Sequence, residues 1–321
     1  YVFDHYSQSS FTMSSPTTVT LYYNTQYLLT VTASPSGALG GSFEADYILG
    51  GTPHTDEVHT TDWTEWVDAD TGVTISNAQD PIIVGSTRYV FDHYSQSSFT
   101  MSSATTVTLY YDTQYLLTVT ANPGGALGGS FKATYTLGGT PHTDELHVTE
   151  WTEWVDAGTG VTISDAQDPI IVGSTRYVFD HYSQSSFTMS SPTTVTLYYD
   201  TQYLLTVTAN PGGALGGSFT ATYTLAGTPY TEVHLTEWTQ WVDNETSVTI
   251  SNAQDPIIKG TTRYVFASYS ETFPYTMSSA ATITLNYDTT YLLTVTADPS
   301  GALGGSFTAT YIKDGTPYTD E

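Results

Sequence analysis

The sequence predicts an all-β fold: a linear array of small immunoglobulin-like β-sandwich domains joined by continuous strands, with β-grasp-like repeats as the alternative architecture. Three observations carry this reading. One phrase recurs at a fixed spacing, apolar and polar residues alternate with period two between turn-forming clusters, and the alternation crosses the boundary between repeats without slipping.

The phrase QYLLTVTA begins at Gln26, Gln114 and Gln202, and TYLLTVTA at Thr290. Its tyrosines Tyr27, Tyr115, Tyr203 and Tyr291 stand 88 residues apart (115 − 27). A unit of that size matches one small domain and is too long for a solenoid coil. The expected domains are 27–114, 115–202 and 203–290. Residues 1–26 then form the C-terminal part of a preceding repeat and 291–321 the N-terminal part of a following one. The phrase GTPYTDE at the end stops in mid-repeat, which reads as an excerpt of a longer repetitive chain. As a whole molecule, the chain would complete its terminal pieces head to tail by strand addition. A residue lost in TPYTEVHL and one gained in YSETFPYTMSS cancel between the third and fourth copies, and both are expected in loops.

Within each repeat, GSFEADYIL puts Phe43, Ala45, Tyr47 and Leu49 on one face. Equivalent places on the other face hold Glu44, Lys132, Thr220 and Thr308, a mixture that only a solvated surface accepts. GVTIS, PIIVG, RYVFDHYS and the WTEW segments are rich in β-branched and aromatic residues and read as strands. Turn signals separate them: SPSGALGG, NPGGALGG, LGGTP, DADTG and AQDP. About seven strands per repeat follow, and no segment has helical periodicity.

The junction is the most informative stretch. In VTLYYNTQYLLTV the places 19, 21, 23, 25, 27, 29 and 31 are Val, Leu, Tyr, Thr, Tyr, Leu and Val. Copy four keeps the phase from Ile283 to Val295, while Tyr22 on the opposite face becomes Asn286. No Gly, Pro or Ser-rich hinge interrupts it. One extended segment is expected to leave one domain as its last strand and enter the next as its first, spanning roughly 43 Å and making a stiff rod.

Composition limits the partners. Six basic and 32 acidic residues give a formal charge of −26. Phosphate binding rests on Lys and Arg, so nucleic acid is excluded as a partner and an anionic membrane face is disfavoured. No apolar run approaches the roughly 20 residues of a membrane span. Cysteine is absent, so disulfides are not staples here. One glycosylation sequon, NET at Asn244, occurs in a single repeat.

The junction and strand phrases TRYVFDHYS, TMSSPTTVTLYYNTQYLLTV and SGALGGSF resemble tandem β repeats of archaeal cell-surface and secreted proteins. They are distantly similar to internalin B-type bacterial surface repeats. In those families a YxFxxW strand precedes a "vtm…tvta" strand and a "tQYyLtv" strand. Here the tryptophan after YVF is missing, and His5-Tyr6, His93-Tyr94 and His181-Tyr182 stand near its place. The resemblance covers every repeat and implies an extracellular structural or adhesive role. It supplies no catalytic residue.

Four constellations invite chemistry. FDHYS brings Asp4, His5 and Ser7 together, but a regular strand points Asp4 and His5 to opposite faces, which forbids a relay. PHTDEVH offers His54, Asp56, Glu57 and His59 as metal ligands, repeated by His142 and His147, and reads as a polar loop. VDADTG sets Asp68 and Asp70 like the start of a calcium loop, echoed by Asp156 and Asp243, without the distal glutamate of a full site. Asp112, Asp200 and Asp288 on the junction are equal candidates for calcium, the one cofactor this composition suits. The pairs Trp63/Trp66, Trp151/Trp154 and Trp238/Trp241 are spaced to place one ring in the core and its mate over a seam or in solvent. A repeated isopeptide staple is excluded, because Lys132, Lys259 and Lys313 fall at different positions.

These features point away from an enzyme. They fit a structural subunit or segment of an extracellular filament or cell-surface fibre, with itself as partner through head-to-tail or lateral contacts. An adhesin stalk that binds glycans or other cells is the alternative.

Overall fold

The computed structural model describes residues 1–302, 304–313 and 316–320. Two short strands, β1 (Val2–Tyr6) and β2 (Leu21–Asn24), lead in. The first full repeat carries β3 (Gln26–Ser34), β4 (Ser42–Leu49), β5 (Thr52–Thr60), β6 (Trp63–Asp68), β7 (Gly72–Ser76), β8 (Ile82–Val84), β9 (Thr87–Tyr94), β10 (Ser98–Thr100) and β11 (Thr105–Asn122). The second continues with β12 (Ser130–Leu137), β13 (Thr140–Val148), β14 (Trp151–Asp156), β15 (Gly160–Ser164), β16 (Ile170–Val172), β17 (Thr175–Tyr182), β18 (Ser186–Thr188) and β19 (Thr193–Asn210). The third has β20 (Ser218–Leu225), β21 (Thr228–Leu235), β22 (Trp238–Asp243), β23 (Ser247–Ser251), β24 (Ile257–Lys259), β25 (Thr262–Tyr269), β26 (Tyr275–Thr276) and β27 (Ala281–Tyr291). A hairpin, β28 (Ala309–Lys313) and β29 (Thr316–Asp320), follows.

Contacts divide the chain into two units. One comprises Tyr1–Ala121, Gly128–Ala166 and Tyr182–Leu197, the other Asn122–Leu127, Gln167–His181 and Tyr198–Glu321.

In the first unit, the first repeat is a two-sheet sandwich. One sheet runs β10-β7-β4-β5, antiparallel throughout. In the other, β3 lies between β6 (antiparallel) and β11 (parallel), and β11 pairs β9, which pairs β8. The parallel pairing of the first and last strands, Thr105↔Leu29 to Tyr110↔Ser34, closes the sheet over a long sequence separation. The inner faces supply Leu29, Val31, Phe43, Ala45, Val67, Val73, Ile75, Met101, Val107 and Leu109, all essentially buried. Burial of each large side chain contributes about 1.5–3 kcal/mol. The all-β sandwich follows the sequence reading. The short strands β8 and β10 raise the strand total above the expected seven.

The second unit repeats this plan in the third repeat: β21-β20-β23-β26 opposes a sheet in which β19 lies between β22 and β27, and β27 pairs β25.

The expected strand alternation holds along β11 except at Gln114, which is buried on the opposite face. Val107, Leu109, Tyr111, Leu117, Val119 and Ala121 are buried, and Tyr110 and Asp112 are exposed. The phase does not slip at the boundary because the backbone never leaves the extended conformation.

Two expectations about loops need correction. PHTDEVH is the edge strand β5, not a loop, and contains a bulge in which Thr55 and Asp56 oppose Asp46 alone. Asp56 adopts φ 52°, and its amide donates to Asp46 Oδ1 at 2.7 Å. The second repeat matches it, with Asp144 at φ 53°. The residue missing from TPYTEVHL is this bulge residue, so the deletion falls within a strand, where it restores one-to-one pairing of Thr222 with Thr231. A bulge tolerates the loss because its extra residue makes no ladder pair. The compensating insertion does lie in a connection, between β25 and β26.

The turn before β4 is pinned from above. A methyl group on Gly37 would meet the Tyr89 hydroxyl at 1.9 Å and its ring carbon at 2.6 Å; Gly125 faces Tyr177 and Gly213 faces Tyr264 in the same way. Gly37→Ala is therefore expected to destabilise the chain by about 1–3 kcal/mol through overpacking, read from urea unfolding. An unchanged midpoint would show that the tyrosine swings aside freely.

Candidate functional site: the seam between repeats

Strand β11 serves two repeats. Its first part pairs with β3 and β9, and its second part, Gln114 to Val119, pairs with β14 of the following repeat. At the crossing, Arg88 of β9, Gln114 of β11 and Asp156 of β14 stand directly opposite one another on three adjacent strands. Residues in register share a face, so the three side chains form a cross-strand polar ladder. Arg88 Nε donates to Gln114 Oε1 at 2.6 Å, and Gln114 Nε2 donates to Asp156 Oδ1 at 2.8 Å. Gln114 is only 2% exposed, so both ends of its amide need partners and have them.

The ladder also reaches the turn between β12 and β13. The amides of Gly138 and Gly139 donate to the Asp156 carboxylate at 2.9 and 2.7 Å. Both glycines have positive φ, the conformation that turns these amides toward the carboxylate. The Arg88 guanidinium lies over the Trp154 ring, 5.1 Å from its centre, in a cation–π contact.

The second unit contains the same assembly. Arg176 Nε donates to Gln202 Oε1 at 2.8 Å, with a further short contact from Nη2. Gln202 Nε2 donates to Asp243 Oδ1 at 2.7 Å, and the amides of Ala226 and Gly227 donate to Asp243 at 2.9 and 2.8 Å. Arg176 lies 5.2 Å from the Trp241 ring centre. Ahead of the first repeat, Gln26 bonds Asp68 at 2.9 Å, and Gly50 and Gly51 bond it at 3.0 and 2.7 Å. Burial pushes the Asp68 carboxyl up, but the bonds from Gln26, Gly51 and Gly50 outweigh it and hold it below the usual carboxylate range.

Three of the calcium candidates, Asp68, Asp156 and Asp243, are thus the ladder's acceptors. Asp70 is exposed at φ 60°, and its amide donates to Met101 O at 2.9 Å. Gly158 and Glu245 use the same backbone bond, to Met189 and Met277, so the place fixes a turn and is indifferent to its side chain. Asp112, Asp200 and Asp288 lie exposed on the junction strands. Among the described residues no group of three or more His, Asp or Glu side chains is arranged to hold a metal. Asn244 sits half-buried in the turn between β22 and β23.

The tryptophans divide as their spacing suggested. Trp63 packs beside Phe43 and Tyr47, at 5.9 and 5.6 Å between ring centres, whereas Trp154 and Trp241 cover the seams. Trp66 is 54% exposed.

The Asp–His pairs overturn the two-face argument. Asp92 is the extra residue of a bulge in β9, so it and His93 share a side, with Oδ2 and Nδ1 2.8 Å apart. Asp4–His5 and Asp180–His181 behave alike. No nucleophile joins them: the Ser95 hydroxyl accepts from the Thr108 amide at 2.9 Å, and each His stacks on a tyrosine, His93 on Tyr110 at 4.6 Å. In copy four that stack is replaced by a bond from Asn286 Nδ2 to Ser268 Oγ at 3.4 Å, which accounts for the Tyr-to-Asn change.

The bulged edge strand gathers His54, Glu57 and His59 on one side. Glu57 lies 2.7 Å from His54 Nδ1 and accepts from the Tyr47 hydroxyl at 3.0 Å, bonds that hold its carboxyl low. His59 stacks on Trp63 at 4.1 Å, and its buried Nε2 has no hydrogen-bond partner. Lys132 pairs with Asp165 at 2.8 Å and Lys259 bonds Leu215 O at 2.6 Å; the Lys313 side chain lies outside the described residues.

No family model matches the chain, and no curated protein matches it at a significant level. The resemblance to archaeal and internalin B-type repeats gains no support there. Among solved structures the chain is similar to the Bacillus anthracis TIE protein, at 10% identity and a TM-score of 0.29 over 84% of this chain and 52% of that one. It is similar to BcpA, the major pilin subunit of Bacillus cereus, at 10% identity and 0.40 over 83% and 99%. A third is the pilus adhesin SpaC from Lactobacillus rhamnosus GG, at 13% identity and 0.25 over 84% and 43%. The chain spans about half the length of the TIE protein. At these TM-scores the likenesses carry no functional weight.

Two outcomes test the site. Gln114→Ala removes the acceptor of Arg88 Nε and one of the three bonds to Asp156 in a half-buried seam, and should cost about 1–3 kcal/mol in urea unfolding. Gln114→Glu keeps an acceptor for Arg88 but sets a carboxylate against Asp156, so it should cost at least as much; a neutral result for both would show that the ladder is incidental. The second outcome concerns pH. Burial holds His59 and His147 below the ordinary histidine value. The unfolded chain therefore takes up protons first as pH falls below about 6.5, and stability present above that pH is lost. Asp68 adds a loss of the same sign at more acid pH. The melting temperature should fall between neutral pH and pH of about 5.5, and less so in His59→Phe/His147→Phe.

Proposed function

We propose that this chain is a structural segment of an extracellular filament or cell-surface fibre, built from β domains at 27–114, 115–202 and 203–290. The observation that carries the reading is the pairing of β11 with strands of two successive repeats, with the polar ladder locked across it. A flexible tether would suffice to hold two domains together; a shared strand with a buried, fully bonded amide fixes their relation. That is the property a fibre needs and an enzyme does not. No helix among the described residues is long and apolar enough to cross a membrane. Lateral or head-to-tail contacts with further copies complete the fibre in this reading.

The exposed ring of Trp66 favours the second reading, an adhesin stalk, since a flat exposed aromatic is suited to stacking on sugars.

Antibody raised against the chain should label filaments or the outer surface of the source cells in electron micrographs. Label confined to the cell interior would contradict the fibre reading. A glycan array probed with the whole chain separates the two readings, since specific binding lost in Trp66→Ala supports the adhesin.

A further inference from the structure

The third repeat has an edge unlike the other two. In the first and second repeats the outer strand of the four-stranded sheet is broken by the bulges at Asp56 and Asp144. Bulges and charges on an edge strand are devices that stop it from pairing with another chain. In β21 the bulge residue is absent, and the ladder with β20 runs unbroken from Ser218↔Leu235 to Leu225↔Thr228. The bulged aspartate has gone with it: Thr231 stands directly opposite Thr222, their hydroxyls 3.1 Å apart. β21 ends the sheet order β21-β20-β23-β26, so among the described residues no strand covers its outer edge. Val233 and Leu235 on it are 71% and 59% exposed.

We propose that the free edge of β21 pairs antiparallel with β21 of a second copy, about a two-fold axis through Val233. An antiparallel pair of identical strands is self-complementary, and a two-fold contact closes after two copies. This register sets Val233 against its twin and Glu232 against His234 of the other copy, the only arrangement near the centre that matches an acid with a base rather than with another acid. Thr231 then faces Leu235, and Pro229, which has no amide hydrogen to give, falls outside the paired stretch. The first two repeats are barred from the same contact by their bulges. The pairing rests on the fibre reading and gives it a lateral contact at the third repeat.

Charge makes the contact salt-dependent. Two chains of −26 repel, and salt shortens that repulsion while leaving backbone hydrogen bonds intact. Sedimentation velocity of the whole chain should therefore show a dimer that strengthens with salt. Inserting one aspartate between Thr231 and Glu232 copies the arrangement of the other repeats, so the chain should fold with an unchanged melting temperature and sediment as a monomer. Val233→Lys should weaken the dimer by roughly tenfold or more. A wild-type chain that stays monomeric at about 100 µM in high salt overturns the proposal, as does an insertion variant that dimerises equally well. A monomer in solution beside labelled surface filaments sinks only the edge pairing. A dimer without filaments sinks the fibre reading and leaves the pairing.

Discussion

The amide of Gln114 is the constraint on which the structure between repeats depends. It is buried on a strand that pairs with β9 of one repeat and β14 of the next, and each end is committed to a different one: its oxygen to Arg88 before the seam, its nitrogen to Asp156 after it. A neutral donor–acceptor is the suitable residue there. A carboxylate would repel Asp156 and an ammonium would repel Arg88, whereas an amide relays between them and leaves no charge unpaired. The turn glycines and the tryptophan ring flank the half-buried Asp156 and Arg88, while the Gln114 amide between them is almost free of solvent contact, so its bonds keep their strength.

Around this fixed centre the repeats vary in paired ways. Where His93 stacks on Tyr110, the last copy substitutes Ser268 and Asn286 together and exchanges ring contact for a hydrogen bond. Where the edge strand loses its bulge, His54 and His142 give way to Tyr230, which stacks on Tyr223 in turn. The inner faces hardly change, because Phe43, Phe131 and Phe219 fill equivalent, fully buried places. Variation is thus concentrated on the outer surface and edges, where a change of partner is cheap; in the core it is as small as Val107 and Val195 becoming Ile283.

Much of this was legible in the sequence. Alternation identified the strands, the buried face of β4 and the unbroken phase of the junction in β11 and β19, since each depends only on a local period. At the first junction Thr25 interrupts the strand, and in the last copy the strand stops at Tyr291, leaving Leu293 and Val295 exposed. The spacing of the tryptophan pairs placed one ring in the core and left seam or solvent open for its mate, and the structure puts Trp154 and Trp241 over seams and Trp66 in solvent. The ladder itself was not read, because register between strands distant in the chain is not a local property. Its signal was nonetheless present: Arg88, Arg176 and Arg263 recur at one position and are half of the six basic residues. Arg88 and Arg176 each face a glutamine, whereas Arg263 stands opposite Thr290, so the signal marks the ladder in two of the three places. The bulges at Asp56 and Asp92 were missed for another reason. A single extra residue in a strand leaves the composition of a polar loop, and it reverses the face of every later residue in that strand. That reversal is why Asp92 and His93 meet and why His54, Glu57 and His59 converge.

Because the chain contains no cysteine, two introduced ones can be labelled without background. Spin labels at Thr64→Cys and Thr152→Cys would sit on exposed, equivalent places of successive repeats. The distance between them, measured by pulsed electron resonance, tests the shared-strand account most directly. One narrow distribution, broadened when Gln114 is replaced by alanine, is the predicted result. A broad distribution in the wild-type chain would contradict it.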